Sequence, residues 1–188
     1  MRTSILYLCM AASASAADWP QWGGPQWTGA SPEQNLPSKW SATENVAWSL
    51  DVPGHSAATP IVWGDSVYVT APEGETVQLL SVNRKDGTVR WKRALGPNAG
   101  HAHRKHNMAS PSPVTDGRAV FAMTGSGVLK AFTVDGRETW SRDLPGEYGP
   151  FGLNWGYASS PLLLDGTLYV PDPNAHRVQV FDLATLAL

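Results

Sequence analysis

The chain has 188 residues, a net charge of −2 and 16% charged residues. It is long enough for one domain with a real core, and neither nucleic acid nor an anionic membrane is an obvious partner. The 18 Gly, 15 Pro and 9 Trp favour short strands and tight turns over long helices. No run of 18 apolar residues is present, so a membrane span is not predicted.

Residues 1–17 have the pattern of a secretory signal peptide. Arg2 precedes a short apolar run, and the small-x-small sequence at 14–16 suits a signal peptidase, so we predict cleavage near Ala16 or Ala17 and a secreted or periplasmic protein. A lipoprotein signal is a second interpretation, but Cys9 comes too early for a normal apolar region. Because Cys9 is the only cysteine, the mature chain would lack thiols, which suits an oxidising compartment without disulfides.

Residues 18–45 hold four Trp and four Pro, and no period of 2 or 3.6 runs through them. We predict an extended segment whose Trp residues cover the edges of a preformed surface. The functional alternative is an aromatic platform that binds sugars.

A regular pattern begins at Val46, and residues 46–50 alternate as a half-buried strand would. Strands are then predicted at 58–62, 66–70, 77–82 and 89–95. Asp86-Gly87, a strong hairpin signal, joins the last two strands. This order describes a four-stranded antiparallel meander.

The same order returns twice. The second set of predicted strands is 113–114, 119–123, 128–134 and 138–144, with a turn at Asp135-Gly136, and the third is 161–164, 167–170 and 177–182. The pairs that fix the register are each eight residues apart: Pro60 and Tyr68, Pro113 and Phe121, Pro161 and Tyr169. The units therefore repeat after 53 and then 48 residues, and Trp48, Trp91 and Trp140 close successive fourth strands.

A period of 40 to 50 residues with four strands is typical of a β-propeller blade. We predict an all-β, partial propeller of three to three and a half blades, with units at about 46–95, 96–144 and 145–188. Stacked blades bury both faces of each sheet, and the closing Trp fills the wedge between neighbours. A β-sandwich is the competing fold, but it predicts no Asp-Gly-x-x-x-Trp repeat.

The repeat resembles the tryptophan-docking motif of the quinoprotein, or PQQ-like, β-propellers, Ala-x-Asp-x-x-Thr-Gly-x-x-x-Trp. The matching residues are Ser81, Asn83, Asp86, Gly87 and Trp91 in the first copy, Ala131, Thr133, Gly136 and Trp140 in the second, and Phe181, Asp182 and Thr185 at the start of a third. The opening residues and the Ser-Pro phrases are also similar to secreted bacterial PQQ-binding-like repeat proteins. The resemblance covers about residues 18–185.

The resemblance implies three kinds of protein. Quinoprotein alcohol dehydrogenases bind PQQ and Ca²⁺ over the propeller axis, usually beside a disulfide of adjacent cysteines, which this chain lacks. A second branch is similar to the lipoprotein of outer-membrane barrel assembly, a scaffold that binds partner proteins and no cofactor. The third branch contains secreted repeat proteins of unknown role, and it gives the closest match.

Closed propellers of this kind have six to eight blades, which need roughly 300 to 400 residues at this period. The sequence therefore favours an N-terminal fragment of a longer propeller. The alternative is a half-propeller that closes by self-association through open blade edges.

The connection at 96–108 contains three histidines, His101, His103 and His106, whose spacing could hold Zn²⁺ or Cu²⁺. A flexible polar loop is the favoured interpretation, because no carboxylate or thiol lies nearby in sequence. Equivalent positions before each first strand should form one ring at the propeller mouth, where a small ligand could bind: His55, His106, Asn107, Asn154 and Trp155. Polar groups that hydrate an empty channel are the favoured alternative.

Residues 84–106 carry seven of the 14 Lys and Arg, with Asp86 as the only acid. Such a stripe could meet an anionic partner, but cations that block edge pairing are favoured. No phosphate-binding loop, zinc-protease or serine-hydrolase motif is present. We therefore expect a binding or scaffold module for protein or glycan partners, without a catalytic set or cofactor. The alternative is the front of a PQQ-dependent dehydrogenase.

Overall fold

The computed structural model describes residues 17–151, 157–172 and 175–184. The described residues form β-strands and one five-residue helix. The strands are β1 (Ile61–Trp63), β2 (Ser66–Glu73), β3 (Thr76–Asn83), β4 (Val89–Pro97), β5 (Val114–Thr115), β6 (Ala119–Met123), β7 (Val128–Thr133), β8 (Glu138–Asp143), β9 (Leu162–Leu164), β10 (Thr167–Asp172) and β11 (Arg177–Asp182), and the helix is α1 (Leu144–Tyr148).

The strands form three antiparallel meanders. Sheet 1 has the order β1-β2-β3-β4, sheet 2 the order β5-β6-β7-β8, and sheet 3, within the described residues, the order β9-β10-β11. The predicted all-β fold of repeated antiparallel units is therefore confirmed. Each sheet lies within one predicted unit, except that β4 ends at Pro97, two residues past the boundary at 95.

The eight-residue spacing corresponds to a fixed cross-strand register. Tyr68 pairs with Ile61, Phe121 with Val114, and Tyr169 with Leu162. In sheet 1, Ser81 pairs with Trp91, and the register shifts directly after Ser81. Sheet 2 repeats this arrangement, because Ala131 pairs with Trp140 and the register shifts directly after Ala131.

The three sheets pack face to face around two apolar clusters. The cluster between sheets 1 and 2 contains Tyr68, Leu79 and Phe132, all fully buried, and Trp91 packs against it. The cluster between sheets 2 and 3 contains Leu129, Leu168 and Phe181, with Trp140 against it. Successive residues of a strand point to opposite faces of the sheet, so every second residue of a strand faces the neighbouring sheet.

The closing Trp of sheet 1 docks on the turn of sheet 2. Trp91 of sheet 1 donates its indole N–H to the backbone oxygen of Val134, 3.0 Å away, and its ring lies over Gly136. A Cβ at Gly136 would lie 2.8 Å from the ring, and φ is 87° there, so both space and conformation require glycine.

The segment at 46–50 is not a strand, which corrects the prediction. Val46 is exposed, but burial alternates from residue 47 to 52, and Trp48, Leu50 and Val52 pack against the outer face of sheet 1. Trp48 donates to the backbone oxygen of Arg84 at 2.8 Å and lies over Gly87, as Trp91 does one sheet later. The alternating pattern therefore predicted correctly that the side chains of Trp48 and Leu50 pack against the protein. A strand also needs a backbone partner, and the described residues pair none with this segment.

Three consecutive N-terminal residues contact equivalent positions of the three first strands. Trp19 exchanges two backbone hydrogen bonds with Val62 of β1, at 2.8 and 2.9 Å. The Pro20 oxygen accepts from the N–H of Thr115 in β5 at 3.0 Å, and the buried Gln21 side chain accepts from the N–H of Leu163 in β9 at 3.1 Å. The segment therefore connects all three sheets.

A second set of hydrogen bonds connects the residues that precede the first strands. The N–H of Thr59 donates to Ser112 Oγ at 2.9 Å, and the N–H of Ser112 donates to Ser160 Oγ at 3.0 Å. These three residues are equivalent in the repeat. The serine hydroxyls at this repeated position thus supply acceptors between sheets.

Candidate functional site

The structure brings two of the predicted mouth residues together. The Asn107 side-chain amide donates to the backbone oxygen of His55, and its Oδ1 accepts from the N–H of Ala109 at 2.9 Å. The N–H of Asn107 donates to Ser110 Oγ at 2.8 Å. The polar groups of Asn107 thus hold the entry into sheet 2, while the His55 side chain is exposed. Ligand binding by these residues remains a prediction.

The histidine loop is partly ordered by its own contacts. The His103 and His106 rings stack with centroids 6.2 Å apart, and the N–H of Lys105 donates to His103 Nδ1 at 3.3 Å. His106 Nδ1 is buried without a hydrogen-bond partner. Within the described residues, His101 included, no group of three or more His, Cys, Asp or Glu is placed to hold a metal ion.

Asn154 and Trp155, the other two predicted mouth residues, lie outside the described residues. The chain resumes at Tyr157, which is buried, stacks on Phe151 at 4.9 Å and donates its hydroxyl to the backbone oxygen of Pro171. Burial raises the pKa of the Tyr157 hydroxyl, and the nearby Asp172 raises it further. The phenol stays neutral and acts as a donor that fixes this connection.

The cations of the basic stripe that lie on β4 contact groups of the sheets. Lys92 forms an ion pair with Glu73 at 2.6 Å, and Arg90 donates to Ser66 Oγ at 3.2 Å. Arg93 donates to the backbone oxygen of Gly136 at 2.6 Å and lies over the Trp91 ring at 5.7 Å. These contacts use the cations of β4 within the sheets, which agrees with a structural role for them.

A groove opens between sheets 2 and 3 where an aromatic ring fills the equivalent space between sheets 1 and 2. Trp63 pairs with Ser66 at the end of β1, and its ring lies against Gly117 of the next sheet. The register places Asp116 at the equivalent position in sheet 2. The resulting groove has a volume of about 540 Å³, with Phe121 on its apolar lining and three carboxylates around it, those of Asp116, Asp165 and Asp182.

A different groove lies beside the N-terminal segment, for which the sequence predicted Trp residues that cover sheet edges and, as the alternative, an aromatic platform that binds sugars. Trp22 and Trp27 line it on one side and residues 158–162 on the other, and its volume is about 640 Å³. A smaller groove of about 340 Å³ lies on the other side of the same two rings, next to Thr28 and Thr59. The only signal in the sequence was the high density of Trp in 18–45, which does not tell structural rings from exposed ones.

Stacked antiparallel meanders, with Trp48 and Trp91 docked on successive turns, define a β-propeller repeat protein of the PQQ-like class. The sequence profile of the family described as "Outer membrane protein assembly factor BamB" matches residues 33–147 and 82–187. The chain belongs to this family. A relative from Alkalilimnicola ehrlichii with that name is 30% identical over 95 residues, which are 50% of this chain and 24% of the relative.

Solved structures show the same fold. BamB from Moraxella catarrhalis superposes with a TM-score of 0.53 at 22% identity, over 75% of this chain and 38% of that one. A quinohemoprotein alcohol dehydrogenase from Comamonas testosteroni superposes with a TM-score of 0.63 at 18% identity, over 90% of this chain and 26% of that one. The chain thus spans less than half the length of these proteins.

Ca²⁺, which quinoprotein dehydrogenases bind together with PQQ, takes about six to eight oxygen ligands. The Asn107 amide is engaged at both ends, and the part of the chain that the structure describes groups no set of carboxylates suited to a metal ion. We therefore derive no catalytic step through this cofactor. The described part of the chain also contains no helix with the length and hydropathy needed to cross a bilayer.

Proposed function

We propose that the protein is a binding module of the bacterial cell envelope that acts in outer-membrane protein assembly as part of a larger propeller. The observation that carries the proposal is the family match, which covers residues 33–147 and 82–187 and whose description names an assembly factor. The secretory pattern of residues 1–17 supports a place outside the cytoplasm.

The packing of the repeats supports a role in binding rather than chemistry. The residues of the repeat motif, among them Gly87, Trp91, Gly136 and Trp140, are used in turns and in contacts between sheets. The turn carboxylates are also used locally, because Asp86 accepts from the N–H and the hydroxyl of Thr88 at 2.9 and 2.7 Å. The motif therefore supplies architecture and leaves the exposed loops and sheet edges for partners.

The test of the assembly role is deletion of the gene in the bacterium that encodes it. We expect less folded β-barrel protein in the outer-membrane fraction, measured by quantitative proteomics and by the heat-dependent gel mobility of abundant barrels. The gene with residues 1–17 intact should restore these levels, and the same gene without them should not. Unchanged barrel levels after deletion would contradict the proposal.

A titration of the complete gene product with PQQ and Ca²⁺ tests the alternative of a quinoprotein dehydrogenase. We expect no saturable change in quinone absorbance and no dye-linked oxidation of alcohols. Stoichiometric, calcium-dependent binding together with alcohol oxidation would instead favour the dehydrogenase.

A further inference from the structure

Three of the described tryptophans take no part in packing between sheets. Trp22 and Trp27 are 65% and 48% exposed, and Trp40 is 67% exposed. The other described Trp side chains are half-buried and pack on defined partners: Trp19 on Gly24, Trp48 on Gly87, Trp63 on Gly117, Trp91 on Gly136 and Trp140 on Phe181. Large apolar rings that remain in water at one place mark a contact surface.

The loop that carries Trp22 and Trp27 is held in place. The N–H of Gly24 donates to the backbone oxygen of Gln21 at 2.9 Å, and the N–H of Gly29 donates to the backbone oxygen of Gly23 at 3.0 Å. Gln21 is buried and binds the backbone of β9. The two rings therefore project from an anchored turn, so a ligand would meet a surface that is already formed.

The backbone at Trp27 is in the left-handed region, with φ of 54°. A bulky aromatic residue is rare there, and the conformation costs on the order of 1–3 kcal/mol. Most turns place glycine at such a position. A strained Trp whose ring is about half exposed indicates that the fold keeps this side chain for contact with something else.

The two rings separate two grooves. The larger groove, about 640 Å³, is lined by Trp22, Trp27, Ala158, Ser159, Ser160, Pro161 and Leu162. The smaller one, about 340 Å³, is lined by Trp19, Trp22, Gly23, Trp27, Thr28, Gly29 and Thr59. Both volumes fall in the range of small-molecule sites, roughly 300–1,000 Å³. A ligand that crosses the rings would be longer than one ring-sized unit.

The described residues that line both grooves combine aromatic rings with hydroxyl groups, and none of them has an ionisable side chain. Ser159 and Ser160 supply hydroxyls on one side, and Thr28 and Thr59 on the other. Ser160 Oγ accepts from the N–H of Ser112, and a hydroxyl that accepts one hydrogen bond can also donate its own hydrogen. This chemistry suits a neutral molecule that has apolar faces and hydroxyl edges, and it gives nothing to pair with a phosphate or carboxylate.

We propose that Trp22 and Trp27 form a binding site for a neutral oligosaccharide. The apolar C–H faces of successive sugar rings would lie on the indole rings, and the sugar hydroxyls would bond to the serine and threonine hydroxyls in the two grooves. Two grooves on either side of the rings fit a chain of at least two or three sugars. The proposal depends on the N-terminal loop and residues 158–162 and is independent of a role in outer-membrane protein assembly.

The test is titration calorimetry of the full-length protein with cellohexaose, chitohexaose and maltohexaose at up to about 10 mM. We expect at least one of them to bind, with a Kd of about 0.1–1 mM. Trp22→Ala and Trp27→Ala should each weaken binding at least about tenfold. The matched control is Trp40→Ala, since Trp40 is equally exposed on the same segment and lines neither groove.

A second variant fills the larger groove without changing the loop. Ala158 is exposed and lines that groove, so Ala158→Trp should block the sugar while circular dichroism and thermal unfolding stay unchanged. Decaproline, titrated in parallel, tests a proline-rich peptide as the occupant. The proposal is overturned if no hexasaccharide binds, if binding survives both loop substitutions and the filled groove, or if only decaproline shows the Trp22 and Trp27 dependence.

Discussion

The two outer faces of the stack have similar apolar residues but different surroundings. On sheet 1 the outward residues are Val69, Ala71, Leu80 and Val82, all buried beneath Trp48, Leu50 and Val52. The outward face of sheet 3, at the other end of the stack, carries Leu164, Val178 and Val180, which are 36%, 55% and 40% exposed. No described residue covers that second face as the segment at 46–52 covers the first.

This difference shows what a single unpaired segment can do for a sheet. The segment at 46–52 has no strand partner among the described residues, yet side-chain packing and the Trp48 indole hydrogen bond hold it on the sheet. Burial of each such apolar side chain contributes on the order of 1.5–3 kcal/mol. Sheet 3 lacks this contribution on its outer face, which makes that face the expected place for a neighbouring sheet.

The largest effect should come from the Trp inside the stack. Trp91→Ala removes a ring that contacts the core between sheets 1 and 2 and lies over Gly136, and it should lower the free energy of unfolding by about 3–5 kcal/mol. Urea unfolding followed by circular dichroism measures the change. Trp40→Ala is the control and should stay within about 0.5 kcal/mol, because its ring is exposed. Equal effects of the two substitutions would contradict the docking role.

Removal of the ring that covers the outer face of sheet 1 should cost less than Trp91→Ala. It should also leave that face exposed, as the outer face of sheet 3 is. Trp48→Ala should lower the free energy of unfolding by about 2–3 kcal/mol, since this ring is backed by a sheet on one side only. It should also raise amide exchange at Val69 and Leu80 and increase dye binding to exposed apolar surface. If exchange at these residues does not change, the segment at 46–52 is not what covers sheet 1.

A paired comparison of valines tests the two faces directly. Val69→Thr places a hydroxyl under the covering segment and should cost about 1–3 kcal/mol, whereas Val178→Thr with Val180→Thr should change the free energy of unfolding by less than about 0.5 kcal/mol. If self-association occurs through the open face, the double variant should reduce it in analytical ultracentrifugation. A large loss of stability in the double variant would show that the face on sheet 3 is covered.

The smallest effect concerns the turn beneath Trp48. Hydrogen bonds from the Thr88 hydroxyl, and then from its N–H, hold the pKa of Asp86 below its ordinary value of 3.8. The stabilisation is therefore fully present above pH 4 and is lost as the pH falls through the lowered pKa. Asp86→Asn should flatten this part of the stability–pH curve from pH 5 to 2, measured by thermal unfolding. Asp116→Asn is the control, because it removes a carboxylate in sheet 2 and leaves Asp86 and its hydrogen bonds to Thr88 intact.

The strands could be predicted because their signals are local and repeated. The repeated strand order placed β6 and β11 at the bounds the structure shows, and the spacing of Pro60 and Tyr68 fixed a register that returns in each sheet. The docking Trp was predicted to fill the wedge between sheets, and Trp91 does. The prediction failed at 46–50, because alternation reports which side is buried and says nothing of a backbone partner.

The candidate sites were less predictable because they depend on contacts between distant residues. Nothing in the sequence around Gln21 indicates that its side chain accepts a hydrogen bond from the backbone of Leu163, 142 residues away. The Asn107 amide could be assigned to the mouth, but only the structure shows that it bonds to the backbone next to His55. Likewise, Trp22 and Trp27 differ from Trp19 only in what the folded chain places around them.

The contacts of Trp19, Pro20 and Gln21 with three successive sheets also constrain the order of folding. Their partners Val62 and Leu163 lie about 100 residues apart, so the segment cannot complete its bonds until the third sheet exists. Each sheet, by contrast, is a meander of local pairings that can form as soon as its own strands are available. Residues 19–21 are synthesised before the sheets but should therefore be among the last to dock. A chain shortened before Leu163 should leave Gln21 without this partner and open to proteases.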